Sequence, residues 1–120
     1  MIAVKSWEVT GYTAARPFER TLKCLLSPKL HPVNNIAIGM VILPPGARSN
    51  PHVHEHEEET WFVLSGRGEV IVGGEKVAVE PEMLIVAPPG KMHQVLNPGR
   101  EPLKMLWIFT PPGPEEEHIR

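Results

Sequence analysis

Between Pro51 and Glu59 the chain reads PHVHEHEEE, three histidines interleaved with carboxylates. His52 and His54 stand two apart, so on an extended strand both imidazoles point to the same face. Five residues past His54, Glu59 opens the run Glu59-Thr60-Trp61-Phe62-Val63-Leu64. Alternation sets Glu59, Trp61 and Val63 on one face of that strand and Thr60, Phe62 and Leu64 on the other. Two imidazoles and a carboxylate on neighbouring strands can converge on one cation. Imidazole nitrogen and carboxylate oxygen suit a divalent first-row transition metal. Farther along, Pro88-Pro89-Gly90-Lys91-Met92-His93 reverses the chain and delivers His93 to the start of a strand. A barrel, which brings distant strands side by side, can add it to the same site.

The elements that must position these residues are short. Fourteen prolines and ten glycines are scattered over 120 residues, and proline alone exceeds twice its usual share of about 5%. Helices do not survive such punctuation, whereas short strands joined by tight turns do. Runs rich in valine, isoleucine and aromatics lie between the breakers: Val4–Val9, Arg20–Leu26, Ile36–Leu43, Thr60–Ser65, Glu69–Val72, Lys76–Val79, Met83–Ala87, His93–Leu96 and Leu103–Phe109. Each is bounded by Gly, Pro, Asn or Ser, the punctuation of strands. Gly73-Gly74 between two of them predicts a two-residue hairpin. The fold class is all-β, an antiparallel sandwich or barrel with little or no helix. Residues 1–120 form one domain without internal repeat or linker, and 111–120 are expected to be a frayed tail.

Composition narrows the function classes. A net charge of −2 and a pI of about 6.3 give no basic surface for a phosphate backbone, so no nucleic acid partner is expected. The longest strongly apolar stretch, Ile36–Leu43, is far shorter than the roughly 20 residues of a membrane helix. No membrane partner is expected, and Met1–Thr10, carrying Lys5 and Glu8, does not read as a signal peptide. Cys24 is the only cysteine, which fits a reducing cytoplasm.

The two histidine stretches resemble the motifs of the cupins. Gly46, His52, His54, Glu59 and Gly66 match the first cupin motif without a gap, and Pro88, Gly90, His93 and Asn97 match the second. The glycine that opens the second motif is Glu82 here, which puts a local turn in doubt but not the metal residues. The resemblance covers 46–97 closely and the rest of the chain through its strand pattern. It implies a single cupin domain, an antiparallel jelly-roll-like β-barrel that binds one divalent transition metal (Mn, Fe, Ni, Co, Cu or Zn) through His52, His54, Glu59 and His93. It also implies a small-molecule ligand or substrate and a homodimer. The activity expected is that of a metal-dependent enzyme on a small organic substrate, of dioxygenase, isomerase or decarboxylase/lyase type. The alternatives are a non-catalytic small-molecule-binding or sensing module and a metal-free sugar-modifying cupin.

Other residues in and around these motifs have plainer roles. Glu58 also satisfies the motif's spacing from His54, but Glu59 alone also satisfies the spacing to Gly66. His56 falls on the connecting turn as a rim group, Glu55 and Glu57 read as solvated, and His31 and His118 read as surface residues. Trp61, Met92, Trp107, Phe109 and Met40 can line a pocket, although barrels fill their interiors with such side chains in any case. Arg48 and Lys91 are the charged groups expected near that pocket. Gly66-Arg67-Gly68 leads into a strand and is no phosphate loop. Ser49, Ser65 and Cys24 lack the base and orienting group that a nucleophile needs, so no catalytic acid, base or nucleophile is named.

Overall fold

The computed structural model describes residues 1–119. Its strands are β1 (Tyr12–Ala14), β2 (Arg20–Leu26), β3 (Ala37–Leu43), β4 (Glu58–Ser65), β5 (Gly68–Val72), β6 (Glu75–Val79), β7 (Leu84–Ala87), β8 (His93–Leu96) and β9 (Leu103–Thr110). Among the described residues only two short 3-10 turns, Ser6–Glu8 and Pro114–His118, depart from this all-β pattern. One sheet runs β1-β2-β3-β9-β4-β7 and the second runs β6-β5-β8, every pairing antiparallel.

Period-two alternation fills the space between the sheets. Leu103, Met105, Trp107 and Phe109 of β9 are buried, as are Glu59, Trp61 and Val63 of β4. Val70 from β5 and Val95 from β8 meet them from the other sheet. Each such aliphatic or aromatic side chain contributes about 2 kcal/mol on leaving water. Gly39 of β3 faces Trp107 so closely that a Cβ there would come within 1.9 Å of the indole ring. A residue without a side chain lets the largest core group lie flat against the sheet.

Gly73 and Gly74, at φ 57° and 86°, form the expected hairpin between β5 and β6. Both residues need positive φ there, which glycine adopts without strain. The strand expected over Val4–Val9 is not formed. Ser6–Glu8 is a 3-10 turn, Trp7 is exposed, and the edge strand of the sheet is Tyr12–Ala14 instead. The alternation of Val4–Val9 has no sheet face to bury against, and the turn is tied down by Lys23 Nζ donating to the Ser6 carbonyl at 3.0 Å. The tail also departs from expectation. Pro114–His118 folds back onto the barrel with Glu115 completely buried.

Candidate metal centre

The residues before β4 run antiparallel alongside β8. Gly46 and Asn97, Ser49 and Val95, and His52 and His93 are tied by main-chain hydrogen bonds. His52 and His93 exchange both bonds, at 3.1 and 2.9 Å, so their side chains emerge as direct cross-strand neighbours. Their ring centroids lie 4.3 Å apart. His54 is held by Gly90, whose N–H donates to the His54 carbonyl at 2.9 Å. The Pro88–Gly90 turn thereby positions both His54 and His93. Glu59 enters from β4, opposite Phe109 of β9 and Ala87 of β7. Asn97 locks the end of the second motif: its Nδ2 donates to the Leu43 and Glu101 carbonyls, and its Oδ1 accepts from the Gly99 N–H.

One ligand atom from each of His52, His54, Glu59 and His93 lies within 4.8 Å of all the others. Glu59 Oε1 is 2.9 Å from His93 Nε2 and 3.5 Å from His54 Nε2, yet none of these three buried atoms has a partner in hydrogen-bonding geometry. Buried polar atoms are ordinarily satisfied. Three of them converging on one point without bonding each other fit a divalent cation between them. The outer nitrogens support the same reading. His52 Nδ1 lies 2.8 Å from the Asn50 carbonyl and His93 Nδ1 lies 3.3 Å from the Lys91 carbonyl. Donation to those carbonyls assigns the proton to Nδ1 and leaves Nε2 as the lone-pair donor.

Crowding of these groups shifts their protonation. Burial, followed by the neighbouring His93, lowers the His52 pKa to about 4, so the ring is neutral at physiological pH. Burial alone would push the Glu59 carboxyl upward. The adjacent His54 and His93 outweigh it, and its pKa lies below the ordinary 4.5. Burial, then the charge of Glu115, raises the Cys24 thiol to about 11, which removes it from nucleophilic chemistry.

The cluster opens on a cavity of about 290 Å³ walled by Leu22, Val41, Trp61, Val95, Trp107 and Phe109. Trp61, Trp107 and Phe109 therefore both fill the core and line the cavity, whereas Met92 is exposed and Met40 is buried outside the cavity wall. Glu58, His56 and Glu55 are exposed, and Glu57 is half-buried. The alternation that buries Trp61 and Val63 also turns Glu59 inward and Glu58 outward. His31, half-buried in the loop between β2 and β3, accepts the Ser27 N–H at its Nδ1 at 3.4 Å and does not line the cavity. His118 is not a plain surface residue, because the C-terminal turn carries it into the cavity wall with Pro114 and Glu117. Nor are Arg48 and Lys91 the charged groups of the cavity. Arg48 sits 5.4 Å over the Phe18 ring, and Lys91 lines a separate groove beside β6 and β7. The cation in the wall is Arg20, at the start of β2. It shares an alternating face with the buried Leu22 and Cys24, the one sequence signal that would have found it.

Residues 39–109, more than half of the chain, match the Cupin domain family. The chain is a cupin. An uncharacterized protein of Methanocaldococcus jannaschii is 32% identical over 112 residues, covering 90% of each chain. A mannose-1-phosphate guanylyltransferase of Klebsiella pneumoniae is 32% identical over 93 residues, where this cupin spans only 18% of that enzyme's length. Among solved structures, a protein of Thermotoga maritima described as a predicted oxalate decarboxylase superposes with a TM-score of 0.83 at 25% identity. That match covers 92% of this cupin and 100% of the Thermotoga chain. Among the described residues no helix is long and apolar enough to cross a membrane.

Proposed function

We propose that this cupin is a metal-dependent enzyme acting on a small organic molecule that reaches a divalent ion held by His52, His54, Glu59 and His93. The observation that carries this reading is the convergence of four potential ligand atoms, three of them buried without hydrogen bonds, at one point in the cavity. A divalent ion held there supplies Lewis-acid polarisation of substrate oxygens. The chain's own residues do the rest. The Asn50 and Lys91 carbonyls orient the rings of His52 and His93. Trp61, Trp107, Phe109 and Val95 exclude water, which strengthens every charge interaction inside. The cavity, about 290 Å³, lies at the small end of the roughly 300–1,000 Å³ of ligand pockets, which supports a substrate of few heavy atoms. The description of the Thermotoga relative supports decarboxylase/lyase chemistry among the reaction types open to such a site, with dioxygenase and isomerase chemistry beside it.

A non-catalytic binding module is the second reading. Its support is the scarcity of acid–base groups: apart from the cluster, the carboxylates and imidazoles of the cavity wall are Glu117 and His118 on the C-terminal turn. Turnover of a bound ligand separates the two readings. The metal itself is tested by elemental mass spectrometry on untagged protein purified without chelators. One ion per folded chain is expected, lost in His54→Ala and His93→Ala while the β-sheet circular dichroism persists. Full occupancy in both variants would show that the assignment of the ligands is wrong.

A further inference from the structure

We propose that Arg20 is a carboxylate-binding residue: the substrate is an organic acid whose anionic group docks on this guanidinium while its other oxygens face the histidine cluster. The second half of that statement rests on the metal-dependent reading above, and the first half rests on Arg20 alone.

Arg20 lines the same cavity as His52, His54, Glu59 and His93. Its position is built. Nη1 donates to the Phe18 carbonyl at 2.8 Å and Nη2 donates to Asn50 Oδ1 at 2.9 Å. Asn50 serves both halves of the site, since its main-chain carbonyl holds the His52 ring and its side chain holds the arginine. A guanidinium carries five N–H donors. Two are engaged by Phe18 and Asn50, and the others have no hydrogen-bond partner among the described residues.

Among the described residues Arg20 forms no ion pair with any carboxylate. Burial disfavours its charged form, and Tyr12 and Glu59 offset this only through space. A half-buried cation with spare donors is costly unless something anionic meets it. A carboxylate matches the planar fork in size and charge. Apart from the histidine cluster and His118, Arg20 is the only basic side chain in the wall, and a single guanidinium beside the carboxylates Glu59 and Glu117 suits a carboxylate more than a phosphate.

The test uses malate and 2-hydroxybutyrate, which share a 2-hydroxy-acid head and differ in malate's distal carboxylate. Calorimetric titration of manganese-loaded protein is expected to show malate binding about tenfold or more tightly than 2-hydroxybutyrate. Arg20→Gln should erase that preference while leaving manganese content and 2-hydroxybutyrate affinity unchanged. Arg20→Lys, which keeps the charge without the fork, should recover only part of it. Equal binding of the two acids by the wild type, or a preference that survives Arg20→Gln, would overturn the proposal. If the wild type takes up no manganese, the metal reading falls and the same comparison on the metal-free protein still decides the arginine. There too, a malate preference lost in Arg20→Gln supports the assignment, and its absence or persistence overturns it. Should Arg20→Gln not fold by urea melt, Arg20→Lys carries the decision through a several-fold loss of the malate preference, and an undiminished preference overturns the assignment.

Discussion

Ser27→Ala removes a single hydroxyl and should loosen the roof of the cavity. Ser27 Oγ donates to Glu115 Oε2 at 2.7 Å, and both residues are 0% exposed. The other carboxylate oxygen of Glu115 accepts the Gly113 N–H at 2.6 Å. This pair clamps the turn Pro114–His118, which brings Pro114, Glu117 and His118 to the cavity wall. Without the hydroxyl, a carboxylate oxygen remains buried with no donor. A hydrogen bond to a charged group is worth about 1.5–3 kcal/mol, so a loss of about 2 kcal/mol is expected. For a domain of this size that lowers Tm by about 8 °C, at about 4 °C per kcal/mol. Urea unfolding with an unchanged m-value measures the first quantity. Hydrogen exchange separates a local effect from a global one. The amides of 113–119 should exchange faster in Ser27→Ala, ahead of those in β3 and β9, because the turn opens without unfolding the barrel. A variant within about 0.5 kcal/mol of wild type, with exchange of 113–119 unchanged, would refute the clamp.

Two further outcomes follow from the same geometry. Glu82, which stands where the cupin motif has glycine, keeps the turn by adopting φ 72°. Glu82→Gly should therefore raise stability by about 1 kcal/mol in urea melts, and a decrease would show that the glutamate side chain contributes more than its backbone strain costs. In chelator-treated protein the pH dependence has a defined sign. His52 titrates at about 4 in the folded chain against an ordinary 6.5, so the unfolded chain takes up the proton first. Its contribution is complete above about pH 6.5 and is lost as pH falls toward about 4, by up to about 3 kcal/mol. Glu59, depressed below 4.5, adds a loss of the same sign at still lower pH. Urea midpoints that stay level between about pH 7 and about pH 4.5 would contradict this account.

Much of this architecture is local chemistry and therefore legible in the chain. Eight of the expected runs coincide with β2 to β9 within a residue or two, because alternating apolar residues between turn formers pair only one way up against a core. The choice of Glu59 over Glu58 follows from that alternation, since the face that buries Trp61 and Val63 must also turn Glu59 inward. The convergence of His52, His54 and His93 is encoded by two short stretches, each of which carries its own turn.

What depends on partners far along the chain was not legible. Val4–Val9 alternates like a strand, but the segment that pairs with β2 is Tyr12–Ala14. The C-terminal turn looks like a frayed acidic tail until Ser27, 88 residues earlier, supplies a buried donor for Glu115. Arg20 and Asn50 stand 30 residues apart and acquire a joint role only where β2 meets the segment before β4. Period and turn chemistry act over a few residues, so strands β2 to β9 and the gathering of His52, His54, Glu59 and His93 were readable from the chain alone. Burial of an unpaired charge arises only when distant segments close around it, so the tertiary structure alone decided the arginine in the wall and the turn that roofs the cavity.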